Sequence, residues 1–322
     1  MQISDIKNIA IIGLGTMGPG IAQAFALAGY RVRGYDSSPA ASETCQRIIE
    51  ANLKTLNSFG TVDPEASRMA LTSIDYTDNL ATAAADAHII IEAVTENRDV
   101  KRSVYEQIDH FAPAGSLIWS NTSTLNIFEL MPEVRLADTL IAHWFAPPHI
   151  IPLVEVVKGP GSSPLTVELT LEMLRSRLSK IPIVIEKYVP GFIINRILRN
   201  LGREAFFLLD GGYISPEDLD LAVKASIAPR MMVLGLIQRY DFTGLDLSAR
   251  NLLDPNFFDP PTDNRPKALH SKIDQGHLGV KTGRGFYDYS DRDLPDVLKD
   301  RDHSLLRVME SLSFCLTKNR LV

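Results

Sequence analysis

Along its first half the chain alternates short runs that are apolar throughout with longer stretches whose apolar residues recur every three or four positions. The runs "NIAIIG" (8–13), "RVRGYD" (31–36), "HIIIEAV" (88–94), "SLIWSN" (116–121), "TLIAHWF" (139–145), "LVEVVK" (153–158) and "IPIVIE" (181–186) predict strands. Residues 17–28 and 98–110 are long enough to be crossover helices. Strands apolar on both faces and separated by helices predict a mostly parallel sheet covered on both sides. Residues 38–70 contain no strong strand: "SETCQRIIEANLKTLNSFG" predicts an amphipathic helix, and "TVDPEASRMALTSI" a second one after the turn at Gly60.

After "KYVPGF" (187–192) strand-like runs become scarce. "GFIINRILRNLGREAFFLLDGG" has helical spacing and a Gly-Gly stop, and "SPEDLDLAVKASI" opens with a Ser–Pro start and an acidic first turn. "LDPNFFDPPTDNRP" predicts a loop. The expected organisation is an α/β domain over 1–187, with a helical-pair insertion at about 38–70, and a mostly α-helical domain over 188–322. A length of 322 residues fits two domains better than one core.

Composition narrows the function classes. A formal charge of −6 argues against a broad nucleic-acid-binding surface. No apolar run reaches the roughly 18 residues of a membrane helix, and nothing resembles a signal peptide. Cys45 and Cys315 lie far apart, with no CxxC pair and no metal spacing. A reduced, cytoplasmic setting is expected, with no metal, membrane or nucleic-acid partner.

The first apolar run ends in glycines. In "IAIIGLGTMGPGIAQAFALAGYRVRGYD", Gly13, Gly15 and Gly18 fall between a strand and a helix, and Asp36 closes the next strand. Strand, glycines, helix, strand and acid together form the dinucleotide-binding fingerprint of a Rossmann-type domain. Gly13 permits the tight turn, Gly15 lets the backbone approach a pyrophosphate, and Gly18 lets helix and strand pack closely. The helix N-terminus presents N–H groups to the phosphates. Asp36 would accept hydrogen bonds from the adenosine ribose and repel a 2′-phosphate, so NAD is expected rather than NADP.

A second stretch, "AHWFAPPHIIPLVEVV" (142–157), sets His143 and Glu155 twelve positions apart around two prolines. By pattern alone this is a buried strand passing through a polar turn. The other reading is the acid–base core of an active site. Glu155 is odd inside "PLVEVV", because a buried carboxylate needs a partner.

These segments, with "IIIEAVTENRDVK" (89–101), "SNTSTLNI" (120–127), "PGFIINR" (190–196) and "GVKTGRGFYDY" (279–289), resemble the L-3-hydroxyacyl-CoA dehydrogenase family in the same chain order. Relatives acting on free hydroxy acids, the L-gulonate and carnitine dehydrogenases and the lens λ-crystallins, share this framework. The resemblance implies that His143 is the catalytic base, that Glu155 orients it, and that Ser123 and Asn195 hold the substrate oxygen and the histidine region. It implies cofactor contacts at Gly13, Gly15, Thr16, Met17, Gly18, Asp36 and Asn121, with Glu96 and Lys101 at the nicotinamide side. From spacing alone, Glu96 and Lys101 would equally be an exposed ion pair at a helix start. The implied reaction is NAD-dependent oxidation of an L-3-hydroxyacyl thioester, or its reverse, by a homodimer joined through the helical domain. The alternatives are the same step on a free 3-hydroxy acid and a catalytically silent crystallin-like protein.

Two departures bear on substrate. Ala146 stands where the family usually has asparagine. Arg230 lies in "APRMMVLGLIQRYDFTGLD" (228–246), where some relatives acting on free acids also carry an arginine, and a guanidinium there would bind a substrate carboxylate or else lie on the surface. The helical pair, where the CoA enzymes contact the nucleotide tail, offers only Arg47, Lys54 and Arg68.

Overall fold

The computed structural model describes residues 1–256 and 258–316. Its residues form two compact units, Met1–Arg196 and Ile197–Val322.

The first unit is built on one eight-stranded sheet in the order β3-β2-β1-β4-β5-β6-β7-β8. The strands are β1 (Asn8–Ile12), β2 (Arg31–Tyr35), β3 (Ile74–Thr77), β4 (Ile89–Glu92), β5 (Leu117–Ser120), β6 (Thr139–Trp144), β7 (Leu153–Lys158) and β8 (Ile181–Ile185). Every neighbouring pair is parallel except β6 and β7. The seven expected strands are present. The eighth, β3, corrects the reading of 61–74 as helix to its end: the helix stops at Thr72 and Ile74 begins an edge strand. Its "IDYT" has one buried residue in four, too weak an apolar pattern to stand out.

Helices α1 (Gly18–Leu27), α2 (Pro39–Phe59), α3 (Pro64–Thr72), α4 (Leu80–Ala84), α5 (Arg98–Phe111) and α6 (Pro164–Glu172) cover the sheet. Local chemistry sets several of their ends. Pro39 and Pro64 open α2 and α3, where a missing N–H is harmless. Gly60 closes α2 in the left-handed region at φ 81°. The Asn97 side chain caps α5, accepting from the N–H groups of Asp99 at 2.9 Å and Val100 at 3.1 Å.

Alternation along the strands divides the core in two. Ile9, Ile11, Ile89, Ile91, Leu117, Trp119, Leu140, Ala142 and Trp144 pack with α1, α2 and α6 on one face. Ala10, Ile12, Ile90, Ile118, Ile141 and Val157 pack with α4 and α5 on the other. Continuing this period of two, Glu92, Ser120, His143 and Glu155 all fall on the α4–α5 face. A layer that is apolar through the middle of the sheet therefore turns polar at one end.

The second unit is helical: α7 (Ile194–Asp210) leads into it, followed by α8 (Pro216–Ala222), α9 (Ala228–Leu234), α10 (Gln238–Thr243), α11 (Leu245–Leu252), α12 (Lys267–Asp274) and α13 (Leu294–Leu312). The described residues between α11 and α12 form no helix or strand.

Candidate active site

At the C-terminal ends of the strands, β1 is flanked by β2 on one side and β4 on the other, which leaves a crevice between their loops. A cleft of about 1180 Å³ in the first unit occupies it, larger than the roughly 300–1,000 Å³ of an ordinary small-molecule pocket. Of the residues expected from the sequence, Gly13, Gly15, Thr16, Met17, Asp36, Glu96, Asn121, Ser123, His143 and Asn195 line it.

The three glycines differ in what surrounds them. Gly13 leaves β1 at φ +105°, and a Cβ there would lie 2.6 Å from the Ala93 carbonyl. A Cβ at Gly18 would lie 2.2 Å from the Gly13 carbonyl oxygen, so Gly18 serves packing and not the cleft surface. A Cβ at Gly15 would meet only open space. No side chain caps the start of α1, so its first N–H groups remain available to an anion. Asp36 Oδ2 accepts from Leu14 N–H at 2.8 Å and Oδ1 from Ser38 N–H at 2.9 Å. One carboxylate thus braces the glycine turn and the entry to α2 while still lining the cleft. An open cradle, an uncapped helix start and an acid at the strand end fit a dinucleotide.

The twelve-residue spacing of His143 and Glu155 is explained by register. The two residues face each other across the antiparallel pair β6–β7. His143 Nδ1 lies 2.8 Å from Glu155 Oε2, with Glu155 fully buried. Glu155 Oε1 accepts the N–H groups of Ile193 and Ile194, each at 3.0 Å, at the start of α7. The carboxylate therefore satisfies two orphan donors of a helix N-terminus as well as the imidazole. A carboxylate only accepts, so in the neutral ring Nδ1 carries the hydrogen and Nε2 presents its lone pair. Among the described residues nothing hydrogen-bonds Nε2, and His143 lines the cleft. Phe145 and Phe192 pack on the ring at centroid distances of 4.6 and 5.3 Å and hold its plane.

Glu96 gathers the loop after β5. It accepts from Thr122 Oγ1 at 2.7 Å, Thr124 N–H at 2.8 Å, Ser123 N–H at 3.0 Å and Thr124 Oγ1 at 3.0 Å, with Ser123 Oγ at 3.3 Å. Burial pushes its carboxyl up, but the Thr122 hydroxyl, the Lys101 charge and the Thr124 donors outweigh that and hold it down at about 2. Asn121, at the end of β5, accepts the Trp144 N–H through Oδ1 at 2.8 Å and so ties this loop to the strand carrying His143.

Lys101 corrects the picture of an exposed pair. Its side chain is 1% exposed, and its nearest partner is Glu92 Oε1 at 2.6 Å, with Glu96 Oε2 at 3.4 Å. Glu92 also accepts from Val94 N–H at 2.9 Å, Tyr105 Oη at 2.5 Å and Ser120 Oγ at 2.6 Å. Lys101 is a strut beneath the cleft, and Gly18 and Glu155 likewise sit behind its surface.

Sequence reasoning passed over Glu92, although "IIIEAV" carries the signal that singled out Glu155: one carboxylate in an apolar strand. It also passed over Lys180, whose buried ammonium donates to the carbonyls of Pro148 at 2.6 Å and Ile151 at 2.9 Å and lies 5.0 Å from the Trp144 ring centroid. Burial pushes this ammonium down to about 8. Lys180 pins the turn that follows His143, and nothing in "LSKIP" marks it. Arg230 belongs to the second unit, where Ser226 holds its guanidinium through the carbonyl at 3.0 Å and the hydroxyl at 2.9 Å.

Two family models match the chain: the NAD binding domain of 3-hydroxyacyl-CoA dehydrogenase over residues 8–188 and the C-terminal domain of the same enzyme over 191–289. The chain belongs to the 3-hydroxyacyl-CoA dehydrogenase family. Its first unit is an NAD-binding domain, and the chain is a dehydrogenase of that family.

Within the family its relatives differ in substrate. The 5-formyl-3-hydroxy-2-methylpyridine 4-carboxylate 5-dehydrogenase of Mesorhizobium japonicum is 35% identical over 310 residues, 95% of this chain and 98% of that one. The 3-hydroxybutyryl-CoA dehydrogenase of Clostridioides difficile is 32% identical over 286 residues, 88% of this chain and 99% of that one. The L-carnitine dehydrogenase of Streptomyces griseus is 31% identical over 315 residues, 95% and 90% respectively. A crystal structure of the pyridine carboxylate enzyme, described as an NAD+ dependent dismutase, matches with a TM-score of 0.83 at 34% identity, covering 96% of this chain and 99% of that one.

Proposed function

We propose that this dehydrogenase transfers hydride between NAD and the alcohol or carbonyl carbon of a small free carboxylic acid, with His143 as the general base. The observation that carries the reaction is the His143–Glu155 pair, with Nδ1 held at 2.8 Å by the buried carboxylate and His143 lining the cleft. NAD, when bound, supplies the hydride acceptor. The chain's own part is protonic and positional. His143 Nε2 takes the hydroxyl proton, and Glu155 supports the imidazolium that forms. Ser123 and Asn195 hold the substrate oxygen within reach of Nε2. Asp36 accepts from the cofactor's ribose, and Gly13, Gly15, Thr16 and Met17 form the phosphate cradle.

The free-acid reading rests on charge. A CoA tail carries phosphates, yet residues 38–70 hold three basic side chains against the four acids Glu43, Glu50, Asp63 and Glu65. Arg68 is already paired with the Glu65 carboxylate, Nε to Oε2 at 2.9 Å, whereas among the described residues Arg230 meets only the neutral Ser226. Arg230 is the cation we assign to the substrate carboxylate. The thioester is the second reading, favoured by the relatives that act on 3-hydroxybutyryl-CoA. We further read residues 1–187 as the cofactor domain and 188–322 as a helical substrate and dimerisation domain. Half-exposed Leu198 and Leu201 on α7 support that association. The free thiols of Cys45 and Cys315 support a cytoplasmic setting, and among the described residues no helix is long and apolar enough to cross a membrane.

The test is NADH formation with 3-hydroxyacyl-CoA thioesters and the matched free acids, on wild type and on Arg230→Ala. The expected result is turnover of a free acid that falls by roughly tenfold or more in kcat/KM without Arg230, the loss of one charge-assisted contact. Preference for the thioester, unaffected by Arg230→Ala, would overturn the free-acid reading.

A further inference from the structure

Beneath the loop 121–125, three ionisable groups share one ion-paired island: Glu92, Glu96 and Lys101. All four partners of Glu92 bring it a hydrogen, namely the Lys101 ammonium, the Val94 N–H and the Tyr105 and Ser120 hydroxyls. Glu96 likewise receives hydrogens from Thr122, Ser123 and Thr124. Two carboxylates stand against one ammonium. Among the described residues no second cation lies within ion-pair distance of either acid. The island is also polarised, because the Lys101 side chain is 1% exposed while that of Glu96 is 33% exposed and lines the cleft.

We infer that this island places one uncompensated negative charge at the chemistry end of the cleft and favours the oxidised, cationic nicotinamide over the reduced, neutral one. The inference rests on the preceding reading, in which the nicotinamide lies with Ser123 and His143, since Glu96 bonds Ser123 directly. The charge on Glu155 is cancelled whenever His143 carries a proton, whereas Glu96 shares its one cation, Lys101, with the nearer Glu92. The other cleft acids sit differently: Asp36 braces the glycine turn, and the largely exposed Asp99 pairs with Arg102 at 3.0 Å. A unit charge some 5–8 Å from a second one, at an effective dielectric of about 40, changes relative binding by about 6- to 17-fold. By linkage, a tenfold change in that ratio lowers the potential of the bound two-electron couple by about 30 mV.

The test is to titrate NAD+, NADH and ADP-ribose into wild type, Glu96→Gln and Tyr105→Phe, following tryptophan fluorescence or heat. Glutamine keeps the acceptor for the Ser123 and Thr124 N–H groups while removing the charge. Glu96→Gln should raise the ratio of the NAD+ to the NADH dissociation constant by about 6- to 17-fold and leave ADP-ribose unchanged. Tyr105→Phe removes a hydrogen bond from the same island without changing its charge, and its ratio should stay within about twofold of wild type. An unshifted ratio in Glu96→Gln, or an equal shift in both variants, overturns the inference and leaves the reading of the site intact. An ADP-ribose affinity that moves with Glu96→Gln would instead place the adenosine end there, overturning the reading of the site and the inference with it.

Discussion

Glu92 and Glu155 begin as the same feature and end in different roles. Each is a fully buried carboxylate on a strand of the central sheet, on the same face, beside a nitrogen that carries or accepts a positive charge. Glu92 is closed: the cation it meets, Lys101, is itself buried, and its remaining donors are Val94, Tyr105 and Ser120. Glu155 is open at one remove, because the imidazole it holds lines the cleft and its second nitrogen has no hydrogen-bond partner among the described residues. A buried charge by itself thus marks a polar network and not a reaction. Chemistry belongs to the network that leaves one valence facing a space.

If that distinction holds, the largest effect on stability should come from the closed pair. Lys101→Met would leave Glu92 and Glu96 without their shared cation, and breaking a buried pair from one side costs about 3–5 kcal/mol. Denaturant midpoints at constant m-value would measure this, and a loss below about 1 kcal/mol would mean the network tolerates a missing cation.

A smaller effect sharpens the comparison at acid pH. The folded Glu96 carboxyl titrates at about 2, below its ordinary value of 4.5. A lowered folded value contributes stability that is fully present above the unfolded value and is lost as pH falls through the folded one. Wild type should therefore lose stability more steeply than Glu96→Gln between about pH 4.5 and 2, by an amount moderated by partial exposure. Parallel curves for the two proteins would remove Glu96 from the acid-sensitive set.

Much of this arrangement is legible in the sequence alone. The alternation of apolar runs and helical periods, the three glycines followed by Asp36, and the carboxylate stranded in "PLVEVV" each state a physical demand that the fold meets. Register explains why His143 and Glu155 could be paired from sequence: antiparallel neighbours joined by a short turn keep a fixed spacing. What stayed hidden depends on contacts that spacing does not encode. Lys101 reads as a solvated helix residue until α5 is laid on β4, and Tyr105 reads as one more core aromatic until its hydroxyl meets Glu92. Lys180 gives no local sign, since its partners are carbonyls some thirty residues earlier in the chain. The edge strand β3 is short and mostly polar, so its pairing with β2 defines it more than its composition does.

The proposed mechanism makes His143 and Glu155 one catalytic unit. The direct measurement is a double-mutant cycle on the hydride-transfer rate, with His143→Ala, Glu155→Gln and the double variant compared in single turnovers. His143→Ala should slow the step by about 10²–10⁴-fold, the usual share of general-base catalysis, and adding Glu155→Gln should slow it little further. Independent, multiplying losses, or a His143→Ala rate near that of wild type with chemistry limiting, would contradict it.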